Sequence, residues 1–548
     1  MVNFPPEIMK PARYVGNELH SIHKDWDKCS LRVALAYPDL YEVGMSNLGV
    51  QILYHIINEQ PDSLAERVFA PWPDMENQLT TNGSQLTTLE SNKPLKDFDL
   101  VGFSLGHELT YTNIVTMLKL ANIPVFRTER KEDDPIILAG GPCTFNPEPI
   151  RELFDAFVVG EGEEVILELL NILKPFRQEP RAIRLQALAK ISGIFVPGIS
   201  QQVKKRFVAD FSHAPVPTRP IVPFIETIHD RAAVEVMRGC KWGCKFCQAG
   251  WTTLPVRQRD QERILQIADE LIKNTGHEEL SLLSLSSSDH SQIAEIAKIL
   301  AKKYEKQRVN IALPSMRTNS FSVKLAKEIS RVRSSSITLA PEAGTQRLRD
   351  VIGKNMTEAD IEAGVRAVFD EGIEAIKLYF MIGLPTETDE DLLGICQLGE
   401  KILRLGKEKT RRARVTINLS TFIPKPHTPL QWERQISIEE TLIKQKLIKQ
   451  HADRRLDIRW HDAKTSFLEG VFSRGDAKLN QVIVKAWELG ARFDAWSEHF
   501  QLDRWLQAFK ELALDPNQYL QERPLEEKLP WDYVDTGVNK EVLLKCRR

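Results

Sequence analysis

Cysteine is scarce in this chain, with seven in 548 residues. That is a poor match to a disulfide framework and points to a reducing compartment. Long apolar runs are missing as well. None approaches the roughly eighteen residues of a membrane span, so no membrane partner is expected. Charge of one sign is also lacking. The formal net charge is −2, so no global field calls for nucleic acid or an anionic surface. The opening residues, Met1-Val2-Asn3-Phe4-Pro5-Pro6-Glu7, have no basic segment followed by an apolar stretch, and no signal peptide is expected. These absences give the expectation of a cytoplasmic protein. No internal repeat or low-complexity stretch stands out. What remains is ordinary globular material, 42% hydrophobic, with length for two to four domains.

Against that scarcity, three cysteines fall within eight positions, in Arg238-Gly239-Cys240-Lys241-Trp242-Gly243-Cys244-Lys245-Phe246-Cys247. The spacing is C-x3-C-x2-C. Three thiolates hold three irons of a 4Fe–4S cube and leave the fourth open, whereas an electron-transfer cluster usually has all four irons held. An open iron is a binding site. A zinc site would want a fourth ligand, and His229 and His277 are poorly spaced to supply it. Cys29, Cys143, Cys396 and Cys546 have no mutual spacing and read as buried or incidental thiols.

Apolar strand-like runs alternate with helical patterns along most of the chain. Residues 31–37, 99–104, 135–139 and 156–159 read as strands, with helices after them, including one through Asn58 and another over 112–121. That alternation implies a doubly wound parallel sheet. Prolines 197, 215, 217, 220 and 223 then break the pattern. From 232 the alternation resumes, with strands expected at 233–237, 280–285, 310–313, 336–339, 375–381 and 416–422 and helices near 260–274, 291–305, 322–331, 358–371 and 389–405. Six β/α units make a partial barrel, with active groups at the carboxyl ends of its strands. The fold class expected is therefore α/β: an N-terminal doubly wound Rossmann-like parallel sheet (1–195), a linker (196–228), a central partial (β/α)6 barrel (229–455) and a mostly helical C-terminal extension (456–548).

At the cysteine loop the chain resembles the radical S-adenosylmethionine superfamily. The resemblance implies that Cys240, Cys244 and Cys247 ligate the cube, with Phe246 as the aromatic residue before the third cysteine. It implies that S-adenosylmethionine chelates the open iron and is cleaved to a 5′-deoxyadenosyl radical. It also implies an electron donor such as flavodoxin or ferredoxin. Ser286-Ser287-Ser288-Asp289 ends the second strand where the family often has Gly-Gly, and Ser287 is the candidate there for the methionine amine. Arg317 is a candidate for the methionine carboxylate, Glu342 for the ribose hydroxyls, and Gly383, in Met381-Ile382-Gly383-Leu384-Pro385, for close approach of the adenine. Helix capping by Glu342 and a surface ion pair for Arg317 are the plainer alternatives.

The N-terminal domain resembles the cobalamin-binding Rossmann-like domain, whose fingerprint runs D-x-H-x-x-G, then S-x-L, then GG. Asp39, Tyr41 and Gly44 follow the first strand, Ser104-Leu105-Gly106 a later one, and Gly140-Gly141 the next. Tyr41 stands where that family has its cobalt-ligating histidine. The resemblance implies Asp39, Tyr41, Gly44, Ser104, Gly140 and Gly141 as cofactor-binding residues. A domain that has lost cobalamin and only caps the barrel is the alternative. Met9–Tyr14, Arg67–Met75, Pro424–Pro429 and Leu529–Asp532 extend the likeness to a bacterial family of such two-domain proteins whose reaction is unassigned. Longer relatives carry a further C-terminal domain, which implies a separate partner protein for this chain.

The reading favoured is an enzyme that makes a 5′-deoxyadenosyl radical and uses cobalamin to methylate an unactivated carbon. The alternatives are a cobalamin-independent member of the superfamily, doing rearrangement, thiolation or oxidation, and a non-enzymatic iron–sulfur protein associated with RNA. Two basic runs, around Arg404–Arg414 and Lys444–Arg455, are the basis for a nucleic-acid partner; interspersed acids make a solvated face the plainer reading. His107-Glu108 and His461 could face a cofactor or substrate, with capping and loop roles as alternatives. The substrate and the groups acting on it are not legible in the sequence.

Overall fold

The computed structural model describes residues 4–314 and 337–547. Its first sheet is built on the apolar runs of the N-terminal third. Five parallel strands, β1 (Leu31–Tyr37), β2 (Ser63–Phe69), β3 (Leu100–Ser104), β4 (Ile136–Gly140) and β5 (Ala156–Val158), lie in the order β2-β1-β3-β4-β5. A short antiparallel strand, β6 (Ile194–Phe195), borders β5. The strand order reverses between β1 and β3, the place where open α/β sheets put their ligands. Side chains alternate across the sheet. Val33, Leu35, Leu100, Ile136 and Leu138 face the helices Leu48–Glu59 and Glu163–Phe176. Ala36, Val101, Phe103, Ile137 and Ala139 face the helix Tyr111–Leu120.

Two features of this unit were not expected. No strand was read over 63–69, because Glu66 and Arg67 interrupt the apolar pattern. Both are buried. Arg67 is paired with Glu18 and Glu90, each at 2.7 Å, and Glu66 accepts hydrogen bonds from Thr88 and Ser91. The Arg67 charge is met by carboxylates, Glu66 is held by hydroxyl donors, and β2 pairs with β1 over its whole length. The second feature is the origin of the layer on the Phe103 face. Phe467, Val482, Ile483, Trp505 and Phe509 share one core with β1, β3 and β4. They come from the C-terminal helices Ala463–Ser473, Leu479–Glu488 and Leu502–Glu511.

The proline-rich stretch after β6 is packed. β7 (Val203–Lys204) pairs in parallel with a C-terminal strand at Val534–Asp535, and Val208, Phe211 and Ala214 form a small buried cluster.

The second α/β unit comes in two pieces. β8 (Ala232–Glu235), β11 (Glu279–Leu283) and β12 (Asn310–Ala312) form one, in the order β12-β11-β8. Between them in sequence, β9 (Met237–Arg238) and β10 (Arg257–Gln258) make a small antiparallel ribbon. β13 (Ile337–Glu342), β14 (Ala375–Ile382), β15 (Arg414–Thr421) and β16 (Asp457–Trp460) form the other piece, all parallel. β16 lies at the apparent strand 456–460 that precedes His461 in the sequence, and it joins the six strands expected of the barrel as a seventh. The helix read at 322–331 lies outside the described residues.

The outer faces of both pieces are packed in the manner of a β/α barrel. Ile264, Ile267 and Leu271 cover Leu280 and Leu282, and Val365, Phe369, Ile395 and Ile402 cover Ile376, Leu378 and Ile417. The concave face differs from a closed barrel, whose interior is filled by branched side chains. Lys377 and Tyr379 on β14 and Ser420 on β15 are exposed. The unit therefore has a polar, open inner surface.

Candidate active site

The cysteine loop leaves the ribbon at the carboxyl end of the β8–β9 segment, so the barrel mouth is where the sequence places it. Two glycines shape it. Gly239 has φ +84°, and a Cβ there would meet the Pro255 carbonyl oxygen at 2.9 Å. Gly243 has φ +63°, the left-handed region that side chains avoid. The Trp251 indole N–H donates to the Cys244 carbonyl at 3.0 Å, and the Lys245 N–H donates to the Ile352 carbonyl at 2.9 Å. Cys240, Cys244 and Cys247 are all free thiols and partly buried. Burial pushes the Cys244 thiol up to about 11, and the neighbouring Cys247 and Cys240 push the same way; the Lys354 ammonium opposes them. Burial raises Cys247 also. Three crowded thiols of this kind become stable thiolates when a cation joins them.

Other predicted residues gather beside this loop. Glu342 ends β13 with φ +68°, a conformation rare outside glycine and common at functional sites. Its Oε1 accepts a hydrogen bond from Lys354 Nζ at 3.2 Å, with both side chains largely buried. Burial raises the Glu342 carboxyl, and the Lys354 charge opposes that shift. Lys354 was not read from the sequence. It is delivered by the turn at Ile352-Gly353, which pairs with Lys245 of the cysteine loop. Phe246 packs among Ala343, Leu348, Ile352 and Leu430 and anchors the loop to the β13 end.

At the end of β11, Ser287 is buried, donates to the Leu282 carbonyl at 3.1 Å and pairs with Ser284. Its neighbour Ser286 has a buried hydroxyl without a hydrogen-bond partner. Asp289 of the same segment accepts from the Trp242 indole and lies 3.4 Å from Lys241 Nζ, so this strand end is tied to the cysteine loop. Gly383, with φ +81°, ends β14, where a Cβ would collide with Ile436 at 2.6 Å. It lines a cavity of about 580 Å³ together with Lys245 and Leu430. Arg317 lies outside the described residues.

The first sheet holds a second cavity, of about 310 Å³, on its Val33 face. Leu35, Gly102, Leu138, Gly140 and Ile166 are among its walls, and Ser104, Gly141 and Glu161 are among the residues at its strand-end side. Gly102 and Gly140 leave the sheet bare there: a Cβ on Gly140 would meet nothing within 4 Å. Gly141 has φ +98° and is pressed against the Leu105 carbonyl. Ser104, Gly140 and Gly141 thus surround one space.

Asp39, Tyr41 and Gly44 are not among the residues lining that space. Asp39 is buried and accepts from the Trp496 indole at 2.9 Å. The Tyr41 hydroxyl donates to Glu18 at 2.8 Å within the Arg67 cluster. A Cβ on Gly44 would strike the Phe69 ring at 2.2 Å. All three have packing roles in this structure.

The two cavities and the cysteine loop belong to one assembly. Arg238, the residue that opens the cysteine loop segment, also lines the sheet cavity. Its guanidinium reaches Glu161 at 3.1 Å, Glu163 at 2.5 Å and Glu235 at 2.8 Å. Arg257 adds a 2.6 Å pair with Glu161. The Gly160–Glu163 loop after β5 is therefore clamped to the barrel mouth, and the carboxyl edges of both sheets are turned to each other. Most of the basic runs lie elsewhere, although Lys444 pairs with Glu387 at 2.9 Å and lines the Gly383 cavity. Arg411, Arg412 and Arg414 sit at the amino edge of β15, and Arg454 and Arg455 at that of β16, opposite the cysteine loop; Arg455 is paired with Asp453 and Lys409 with Asp370. Among the described residues no helix is long and apolar enough to cross a membrane.

Comparison with known proteins agrees with this assembly. A family profile described as "Radical SAM proteins, N-terminal" matches residues 49–197, and one described as "Radical SAM superfamily" matches residues 234–399. Uncharacterized protein MJ0966 of Methanocaldococcus jannaschii is 26% identical over 88% of this chain and 98% of its own length. Uncharacterized methyltransferase PH0819 of Pyrococcus horikoshii is 24% identical over 58% of this chain and 68% of its own. Among solved structures, the cobalamin-dependent S-adenosylmethionine radical enzyme OxsB, with aqua-cobalamin and S-adenosylmethionine bound, superposes with a TM-score of 0.54 at 14% identity, covering 94% of this chain and 78% of that one.

Proposed function

The chain belongs to the radical S-adenosylmethionine superfamily, and from that premise we propose that it is a two-cofactor enzyme that methylates an unactivated carbon. When bound, a 4Fe–4S cluster would supply the electron that breaks a carbon–sulfur bond of S-adenosylmethionine, and cobalamin would supply a methyl group. Cys240, Cys244 and Cys247 would hold the cluster. Their donor set fits it: three free, crowded thiols that gain from a shared cation. Ser286, with its unpartnered buried hydroxyl, and the Lys354–Glu342 pair fit the polar end of S-adenosylmethionine. On the first sheet, Gly102 and Gly140 leave the cradle in which an apolar part of cobalamin would lie, with Ser104 and Gly141 at its rim.

The observation that carries the reading is the clamp at Arg238, which sets the glycine-lined cavity against the cysteine loop. The surrounding residues orient and enclose. The Gly239 and Gly243 turns aim the thiols, Phe246 fixes the loop to the β13 end, and the open concave face leaves room for a substrate. A one-electron donor such as a flavodoxin or ferredoxin belongs to the same proposal. One observation favours a second reading, without cobalamin: Asp39, Tyr41 and Gly44 are committed to packing.

Anaerobic reconstitution with iron, sulfide and hydroxocobalamin, followed by gel filtration and absorption spectroscopy, separates the two. Cobalamin that co-elutes supports the first; its absence leaves the second. In both, dithionite and S-adenosylmethionine yield 5′-deoxyadenosine, and Cys244→Ala abolishes it. Unchanged turnover in that variant would refute the cluster assignment.

A further inference from the structure

The concave face of the barrel carries a line of positive charge. Alternation along a strand puts every second side chain on that face. On β14 these include Lys377 and Tyr379, and on β15 Arg414, Thr416 and Asn418, because Leu378, Val415 and Ile417 between them belong to the helix-covered core. The parallel register sets Lys377 beside Thr416 and Tyr379 beside Asn418, with Arg459 of β16 next in that row. At the amino edge, Arg411 and Arg454 lead into β15 and β16. Lys377, Arg411, Arg414 and Arg454 are all exposed. None of the four has a carboxylate within 4.0 Å among the described residues.

Two plainer explanations cover other members of the basic runs. Interspersed acids pair with Lys409, Arg455 and Arg459. Lys407 and Lys449 stand in the last turns of the helices Asp389–Lys409 and Ile438–His451, where a cation complements the helix dipole. Lys377 belongs to neither group. It lies within a strand, on the face that a closed barrel fills with branched apolar side chains.

The opposite wall is polar too, and partly unsatisfied. Ser281 of β11 alternates with Leu280 and Leu282, which face the helices, so it looks into the concavity. It is fully buried, and its hydroxyl has no hydrogen-bond partner. Asn310 of β12, in register with Glu279, has a buried Oδ1 that also lacks one. The Tyr379 side chain is 45% exposed, an aromatic face open to the same space. The carboxyl mouth of the barrel is turned to the first sheet, whereas at the amino end Arg414 and Lys377 stand in the open. From Lys377 to the end of β14 at Ile382 the strand rises about 16 Å.

We propose that this concave face binds a single-stranded nucleic acid that enters at the amino rim. Its phosphates meet Arg414 and Lys377, a base stacks on Tyr379, and the strand runs on toward the cysteine loop. A basic groove that tracks the backbone and an aromatic face that stacks a base are the two parts such sites share. A duplex is too wide for a barrel of this size, whose interior has room for little more than side chains. The inference rests on the proposed function only in calling the bound strand the substrate.

The test needs neither cofactor. Fluorescein-labelled U12 and dT12 are titrated with the full chain and read by fluorescence anisotropy, and the pair tells RNA from DNA. Saturable binding of at least one strand is expected. Four phosphate contacts give a salt slope of about −3, so affinity should fall about fiftyfold between 50 and 200 mM KCl. Lys377→Glu should weaken binding about tenfold or more, and Tyr379→Ala about tenfold, the loss of one stacked base. Both side chains are exposed, and circular dichroism checks that the variants fold. The milder Lys377→Gln is measured beside them and should reduce the salt slope by about 0.7. No binding of either strand, unaltered binding in folded Lys377→Glu or Lys377→Gln, or poly-L-glutamate competing as well as U12 would each overturn the inference. Equal competition by an RNA duplex of the same length would overturn it too, because a duplex reaches the rim and not the concavity. Production of 5′-deoxyadenosine by the reconstituted protein is scored separately, so failure of the radical reading and failure of the strand site remain distinct.

Discussion

Gly140→Val separates a cofactor cradle from a structural defect, because the two predict opposite pairs of results. The residue faces the 310 Å³ space of the first sheet, and a Cβ there has no neighbour within 4 Å. Valine adds three carbons and suits a strand. At about 0.8 kcal/mol for each carbon buried, filling that void contributes about 2 kcal/mol. Restricting the unfolded chain adds about 0.5 kcal/mol. The variant should therefore unfold at higher urea than the parent protein. A ligand that lies in the cradle must clear the same three carbons and forfeit their space, which weakens binding on the order of a hundredfold, or nearly 3 kcal/mol. The assays are urea denaturation without cofactors and hydroxocobalamin retention through gel filtration. Higher stability with lost retention is the expected pair. A destabilised variant would mean the void is not real, and full retention in a stabilised one would mean that cobalamin lies elsewhere; either result refutes the reasoning.

Three further outcomes follow from the packing. Arg238→Met strands Glu163 and Glu235 around an apolar side chain and leaves Glu161 to Arg257 alone, and should cost about 3–5 kcal/mol in urea denaturation; a loss under 1 kcal/mol would show that the clamp is idle. Gly239→Ala combines a left-handed φ with a 2.9 Å approach to the Pro255 oxygen, a strain of about 1–3 kcal/mol placed on the cysteine loop, so iron bound per chain after reconstitution should fall while the first sheet's cavity still accepts cobalamin. Asp494, buried against Thr112 and Trp505, has its carboxyl pushed up by burial to about 6 from 3.8. A raised acid is fully compatible with folding below its unfolded value and costs stability as pH rises through the folded one, here about 3 kcal/mol lost between pH 4 and 6. In Asp494→Asn that stretch of the stability–pH curve should flatten; an unchanged slope would exclude Asp494 as its source.

Much of this architecture was legible where it depends on neighbours in sequence. Apolar runs such as Ile136–Gly140 and Ala375–Ile382 announce buried parallel strands, and the cysteine spacing announces its site because ligand geometry is local. What escaped depends on distant partners. The charges of β2 are hidden by Glu18 and Glu90, and nothing near Arg67 in the chain foretells them. At the β11 end a strand reading cannot tell Ser287, which turns inward to Leu282, from Ser286, whose hydroxyl is left open. Asp39, Tyr41 and Gly44 have the spacing of a cofactor motif, yet their partners Trp496, Glu18 and Phe69 are read only in three dimensions. Lys354 carries no pattern of its own. It matters because of which strand end it reaches.

The helices that cover the Phe103 face of the first sheet are encoded after the barrel. On the ribosome, then, the first sheet emerges early with that oily side covered only in part, by the helix Tyr111–Leu120. At about 5–20 residues per second it waits on the order of half a minute for Phe467 and its companions. During that interval the barrel is made and the early sheet is open to chaperones. Maturation by stepwise loading, with the last helices closing over a sheet already assembled, is a route this gene order permits.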